Sequence, residues 1–387
     1  MALAVLERWI AAGAPQALVV AGPAHVGKTT LALDLAAGLL CAGPDAGRPC
    51  RACRPCRLVE SGGHQDLYRL APQGPGRQVR IGDAADPEPG TVRALVRELA
   101  RLPVEGRGRV AIVEEASRLN EDAQNALLKT LEEPPAGAVV ILCADESDRL
   151  LPTIRSRAAS LRLGPVSTRA IQDLLAGHGV EPPLAARLAR ISGGRPGLAL
   201  AFAARPAAIG ARDEIARALL DLLAADRGHR LVVVRELLGQ AAQLGQLAAG
   251  DPSRTSTGPL AGPDSEASPP AAREDDTTAE ATGADGEPAP HGRRAGETPA
   301  ERRQAAAALL EVWAQVARDL AVVGAGDRPA VHDPALLDDL DALAPRIAPG
   351  AAAAFMDRLA TLATRLEANA NPELVVDVLA LAWPRAA

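Results

Sequence analysis

The stretch Gly22-Pro23-Ala24-His25-Val26-Gly27-Lys28-Thr29 decides how the rest of the chain is read. It fits the pattern G-x-x-x-x-G-K-[ST]. In that pattern glycines let consecutive backbone N–H groups turn inward around a phosphate, an ammonium meets the β/γ oxygens, and a hydroxyl meets Mg²⁺. The chain otherwise meets its need for positive charge with arginine, and its only lysines are Lys28 and Lys129. An ammonium has been kept where a planar guanidinium would not fit the cradle. Upstream, Ala17-Leu-Val-Val-Ala21 reads as a short buried strand, and downstream Thr29-Thr30-Leu-Ala-Leu-Asp-Leu reads as a helix. The expectation is a parallel α/β fold that binds a nucleoside triphosphate. Its candidate contacts are Gly22, Pro23, Ala24, His25, Val26, Gly27, Lys28, Thr29 and Thr30.

A second signal follows at once. Cys41, Cys50, Cys53 and Cys56 fall in a segment rich in Gly, Pro and Arg, with eight, two and two residues between them. Such a loop has too little apolar content to fold without a metal or a crosslink, and four thiolates at this spacing suit a structural, tetrahedral Zn²⁺ with no open position. Disulfides are the competing reading, disfavoured in a reducing compartment. His64 stands near enough to substitute as a ligand but reads as a surface or helix-cap histidine. Cys143, inside Ala138-Val-Val-Ile-Leu-Cys143, reads as a small core residue.

Further along, Arg109-Val-Ala-Ile-Val113 reads as a buried strand ending in Glu114 and Glu115. A strand that delivers acids to the edge where the phosphate loop lies would let Glu114 orient Mg²⁺ and Glu115 polarise a water. Asn120 caps a helix that the pair Pro134-Pro135 stops. After the Cys143 strand, a loop carries Arg155 and Arg157.

Composition sets the outer limits. The 387 residues suffice for two or three domains. Apolar residues make up 48% and aromatics only 2%, so the cores must be built from Ala, Leu and Val. The formal charge of −6 gives no overall basic field to recruit nucleic acid. No apolar run approaches the roughly 20 residues that span a bilayer, and the reading is of a soluble, cytoplasmic chain without an export signal or membrane contact.

Taken together, Gly22 to Thr29, the cysteine quartet, Asn125-Ala-Leu-Leu-Lys-Thr-Leu-Glu-Glu-Pro-Pro135 and Ser156-Arg157 resemble the bacterial clamp-loader AAA+ proteins of the DNA polymerase III holoenzyme. Gly63-His64-Gln-Asp-Leu-Tyr-Arg-Leu70, Leu102-Pro-Val-Glu-Gly106 and the terminal Asn369-Ala-Asn371-Pro-Glu-Leu-Val look more like its delta-prime branch than its gamma/tau ATPase. The resemblance is strong to about residue 205, weak over the last hundred, and absent between them. It implies that Arg157 is an arginine finger offered in trans to ATP on a neighbouring gamma/tau subunit, and that Arg195 is a lid arginine reaching this chain's own nucleotide. The implied partners are gamma/tau and delta subunits in a hetero-oligomer, with the sliding clamp and primed DNA reached through the complex. ATP or ADP with Mg²⁺ is the implied ligand of the loop.

Three departures from the family pattern count against hydrolysis by this chain. Glu114 replaces an aspartate and displaces its carboxylate by one C–C bond. Ala144 or Asp145 stands where the first sensor threonine is expected, and no cysteine follows Ser156-Arg157. The resulting expectation is an AAA+ domain at 1–164 with a zinc module at 41–56, a helical lid at 165–207, a helical collar at 208–250 and 301–387, and a disordered insertion at 251–300. The alternatives are a gamma/tau-type ATPase, or a freestanding P-loop ATPase or kinase with a zinc finger.

Overall fold

A computed structural model of the protein describes residues 2–44, 47–72, 79–105, 107–145, 147–248 and 298–386. The insertion expected at 251–300 lies outside the described residues up to position 297.

The N-terminal part runs α1 (Ala2–Ala12), β1 (Ala17–Ala21), α2 (Lys28–Leu40), α3 (Arg54–Glu60), β2 (Leu67–Leu70), α4 (Val92–Leu99), β3 (Arg109–Val113), α5 (Glu121–Glu132), β4 (Ala138–Ala144), α6 (Pro152–Arg155) and β5 (Ala159–Arg162). All neighbouring strand pairs are parallel, in the order β2-β3-β4-β1-β5. Both faces of β1, β3 and β4 are covered, which is why these strands read as near-continuous apolar runs rather than alternating ones. The side chains still sort by the period of two. Leu18, Ile141 and Ile112 stand in register and pack against α1 and α2 through Leu6, Ile10 and Leu35. Val19, Leu142 and Val113 point to the other face, against Leu95 and Leu99 of α4 and Leu127 of α5. Each such side chain contributes about 1.5–3 kcal/mol on burial.

Local signals set the helix starts. Asn120 caps α5 by accepting the Ala123 N–H at 2.9 Å, and Thr91 caps α4 by accepting that of Ala94 at 3.3 Å.

The helical remainder contains α7 (Thr168–Gly177), α8 (Pro182–Ile191), α9 (Pro196–Ala204), α10 (Pro206–Asp221), α11 (Arg227–Ala248), α12 (Pro299–Gly324), α13 (Leu337–Leu343), α14 (Ala351–Glu367) and α15 (Pro372–Ala382). The 26-residue α12 starts at a capping box, in which Glu301 N–H donates to Thr298 Oγ1 and Thr298 N–H to Glu301 Oε2. One continuous apolar cluster runs from Ile171 in α7 to Trp383 after α15. With aromatics so scarce, three of them are concentrated at its centre: Trp313, Phe355 and Trp383, with ring centroids 4.6 to 5.6 Å apart.

A buried ionic knot ties the lid to the collar. Asp333 accepts from Arg212 at 2.5 Å and from Arg187 at 3.1 Å, and Arg212 also donates to Gln315, whose own amide donates to the Ile191 carbonyl. Burial works against the Asp333 charge. The hydrogen bond from Arg187 and the charges of Arg212 and Arg187 nevertheless hold its carboxyl below the usual aspartate range.

Candidate nucleotide site and metal centre

The phosphate loop begins where β1 ends. Gly22 N–H donates to the Ala144 carbonyl at 3.1 Å, so the loop springs from the junction of β1 and β4. A Cβ at Gly22 would lie 2.5 Å from the Leu163 carbonyl oxygen, and no other residue fits. Gly27 takes a φ of +103° as it opens α2, and a side chain there would meet nothing within 4 Å. His25 also adopts positive φ, at +63°. The loop therefore has the turned-in backbone and the open side that a phosphate cradle requires.

Lys28 is 7% exposed. Its ammonium donates to the carbonyls of Gly22 at 2.9 Å and Pro23 at 2.8 Å and forms an ion pair with Asp145 Oδ1 at 2.6 Å. Asp145 follows β4 directly, and its backbone N–H donates to Ser117 Oγ at 2.9 Å. The lid reaches the loop as well. Gly197 N–H, in the first turn of α9, donates to the His25 carbonyl at 3.0 Å, and a Cβ on Gly197 would stand 3.1 Å from that oxygen.

The remaining sequence-derived candidates are placed as follows. Glu114 and Glu115 do stand at the end of β3, but each is already paired with an arginine. Glu114 is held by Arg69 of β2 at 2.6 Å, and Glu115 pairs with Arg118 one turn on. Arg195 lies just before α9. Its guanidinium donates to the Ser192 carbonyl and pairs with Glu311 of α12, so it is turned toward the collar. Arg157 stands exposed after α6, where it donates to the Thr153 carbonyl at 3.0 Å and pairs with the exposed Glu132 at 2.7 Å. The glycine loop thus leaves room for a phosphate group, whereas Mg²⁺ would have to compete with Arg69 and Arg118 for the two acids. Sequence reasoning missed Arg69 and Ser117. Both come from segments remote in sequence, and no local pattern points to either.

The cysteines converge. The Sγ atoms of Cys41, Cys50, Cys53 and Cys56 all lie within 4.8 Å of one another. Cys41 and Cys53 are 3.8 Å apart and Cys50 and Cys56 are 4.0 Å apart. A regular tetrahedron with Zn–S bonds of about 2.3 Å has edges of about 3.8 Å, so the set fits zinc. These separations are far beyond a disulfide bond of about 2.05 Å, which disposes of the crosslink reading. Backbone N–H groups of Gly43 and Cys53 point at the sulfurs of Cys41 and Cys50, each at 3.3 Å, and the backbone amides of Ala52 and Cys53 bring the Cys50 thiol below its usual range. Burial resists ionisation of Cys53, yet the amides of Cys56 and Ala42 bring it down to about 6, whereas desolvation pushes Cys56 up to about 12. The module is moored to the sheet domain by Arg51 to Asp34 at 2.9 Å and Arg54 to Glu105 at 2.6 Å.

His64 is not at the surface. It is 3% exposed, and its Nδ1 accepts the Asp66 N–H at 3.0 Å while Nε2 faces Glu105 at 3.7 Å. It therefore belongs to the packing under the module and not to the thiol set. Cys143 is fully buried, and desolvation pushes its thiol up to about 12, as befits an inert core residue.

A five-stranded parallel sheet with the phosphate loop on β1, the acids on β3 and β4 between them, followed by a helical lid and an all-helical collar, defines a P-loop domain of the AAA+ class carrying an inserted four-cysteine module. Residues 2–167 match the family described as DNA polymerase III, delta subunit. DNA polymerase III subunit delta' of Pseudomonas aeruginosa is 37% identical over 183 residues, 43% of this chain and 53% of the relative. DNA polymerase III subunit tau of Salmonella typhimurium is 33% identical over 159 residues, 41% of this chain and 23% of the relative. A DNA polymerase III gamma subunit-related protein of Thermotoga maritima covers 98% of each chain at 17% identity with a TM-score of 0.40. Residues 2–167 are thus similar to that family and to curated delta' subunits, at 34–37% identity. The chain spans about half the length of the delta' relatives it matches.

Proposed function

We propose that this protein is a delta-prime subunit of a DNA polymerase III clamp loader. It bridges gamma/tau and delta neighbours and presents Arg157 to ATP held by an adjacent gamma/tau subunit, so that a sliding clamp is loaded onto primed DNA. The observation that carries this reading is a division of labour among charges. Lys28, Glu114 and Arg195 are each committed to buried or half-buried partners, whereas Arg157 stands exposed and is held only at the surface, by Glu132, the Thr153 carbonyl and the Ser156 hydroxyl. A guanidinium supplied in trans stabilises the spreading charge of a transferring phosphoryl group and is worth on the order of 10³-fold or more in rate. Hydrolysis by this chain alone is correspondingly slow or absent, with ATP or ADP a ligand at most. The four thiols hold Zn²⁺ in a structural role, since all four positions of the tetrahedron are protein ligands.

The test is reconstitution. Full-length protein mixed with gamma/tau and delta subunits yields a stable hetero-oligomer by native mass measurement. Arg157→Ala leaves assembly intact and removes the share of DNA-stimulated hydrolysis contributed by the site it serves. Failure to assemble, together with brisk turnover by the isolated chain, would favour a freestanding ATPase.

A further inference from the structure

The Lys28 ammonium already has an anion. Asp145 Oδ1 sits 2.6 Å from Nζ, within the distance range of a charge-assisted hydrogen bond. The two residues are 117 positions apart, yet the fold leaves Asp145 little choice of place. The Ala144 carbonyl receives the N–H of Gly22, the first residue of the loop, so the next residue along β4 must emerge beside the cradle. Ser117 then fixes the Asp145 backbone from the other side. The carboxylate is about half exposed and the ammonium almost wholly buried. The acid therefore reaches in from solvent to the place from which a nucleotide phosphate would arrive.

We propose that Asp145 is an intramolecular phosphate surrogate: its carboxylate occupies the anion position of the loop and sets the affinity of this chain for nucleoside di- and triphosphates low. The inference rests on the reading of Gly22–Thr29 as a phosphate cradle and deepens it by naming what controls the cradle's occupancy. An incoming β-phosphate must displace the carboxylate from Lys28 and then lie next to it, so the same charge acts once as a competitor and again as a repellent neighbour. Neutralising the acid removes both effects while leaving the loop, the glycines and Lys28 in place. The ligand class is a polyphosphate and not the nucleobase, since nothing in this argument touches the base.

The experiment titrates full-length, zinc-loaded protein with ADP and with inorganic pyrophosphate, separately, by calorimetry, and follows the same additions by thermal shift. Asp145→Asn and Asp145→Ala are each expected to bind both probes at least about tenfold more tightly than the parent chain, a change of about 1.4 kcal/mol. Lys28→Ala introduced into either variant is expected to cancel the gain. That cancellation separates removal of a competing charge from general loosening, which would not depend on Lys28. Equal affinities for parent and Asp145→Asn, or no detectable binding by either, overturns the inference, because the acid is then not what limits the site. Assembly of the same variants with gamma/tau and delta subunits is measured alongside. Assembly without an affinity gain defeats this inference and leaves the proposed function standing, whereas an affinity gain without assembly does the reverse.

Discussion

The cysteine module and the phosphate loop lie side by side in sequence and differ in how their chemistry is assembled. The module takes all four thiols from Cys41 to Cys56, and they meet at separations that fit one metal ion. The loop draws on residues from across the whole domain: Gly22 just after β1, Lys28 opening α2, Asp145 just after β4, Glu114 just after β3 with Arg69 from β2, and Gly197 from α9. A site written in one short segment is complete once that segment folds. A distributed site is decided by whatever the fold brings beside it, and here the fold brings a carboxylate to the lysine and an arginine to the acid.

The contrast is open to experiment, most forcefully at the module. Chelation of the metal, or Cys53→Ser, is expected to abolish stoichiometric zinc and to expose residues 41–60 to protease while the parallel sheet stays folded. Binding free energies for structural zinc in small domains are of the order of 10–16 kcal/mol, and this loop has few apolar residues with which to replace that. Zinc quantification with limited proteolysis checks the outcome, and global unfolding would break the picture of a self-contained segment.

The lid–collar knot is the extreme of the distributed kind and comes next in size. Asp333→Ala takes from Arg212, 2% exposed, its closest carboxylate and leaves it Asp213 at 3.5 Å, which Arg187 also uses, so a loss of about 3 kcal/mol is expected in denaturant unfolding. The same carboxylate predicts a pH effect. Its folded-state pKa is depressed, so its contribution is fully present above the ordinary aspartate value of about 3.9 and is lost as pH falls through the lower folded value. Asp333→Asn should flatten the stability profile in that acid window, and unfolding curves between neutral pH and pH 3 would show it.

Smaller effects sharpen the comparison at the loop. Asn120→Ala removes a purely local device, the cap of α5, and should cost about 1 kcal/mol. Lys28→Ala should cost no more than about 1 kcal/mol, because its ionic partner is half exposed, even though it removes the lysine of the proposed phosphate cradle. A much larger loss would mean that the Lys28–Asp145 pair is part of the folding framework and not a feature of the binding site.

Much of this was legible in advance where the signal was local. The loop, the helix that follows it, the cysteine spacing and the cap at Asn120 each depend on residues within a few positions of one another. So does the core assignment of Cys143, which follows from the apolar run around it. The burial of His64 was not legible, because Glu105, against which its Nε2 lies, is brought there by the tertiary fold. Nor was the turning of Arg195 toward the collar, since Glu311 lies 116 residues away. The absence of a hydroxyl after β4 was visible from sequence; that the acid there would close on Lys28 was not.

What the sequence by itself determined about this protein is therefore the inventory of its chemistry: a glycine-rich turn with a lysine, a set of four closely spaced thiols, two acids at a strand end and an arginine after α6. Backbone sterics, strand periodicity and ligand spacing act over a few residues, and they leave little freedom. Only the tertiary structure decided which of those groups remain available. Charges desolvated together must pair, and the partner of each is whatever the sheet order and helix packing deliver to within hydrogen-bond distance.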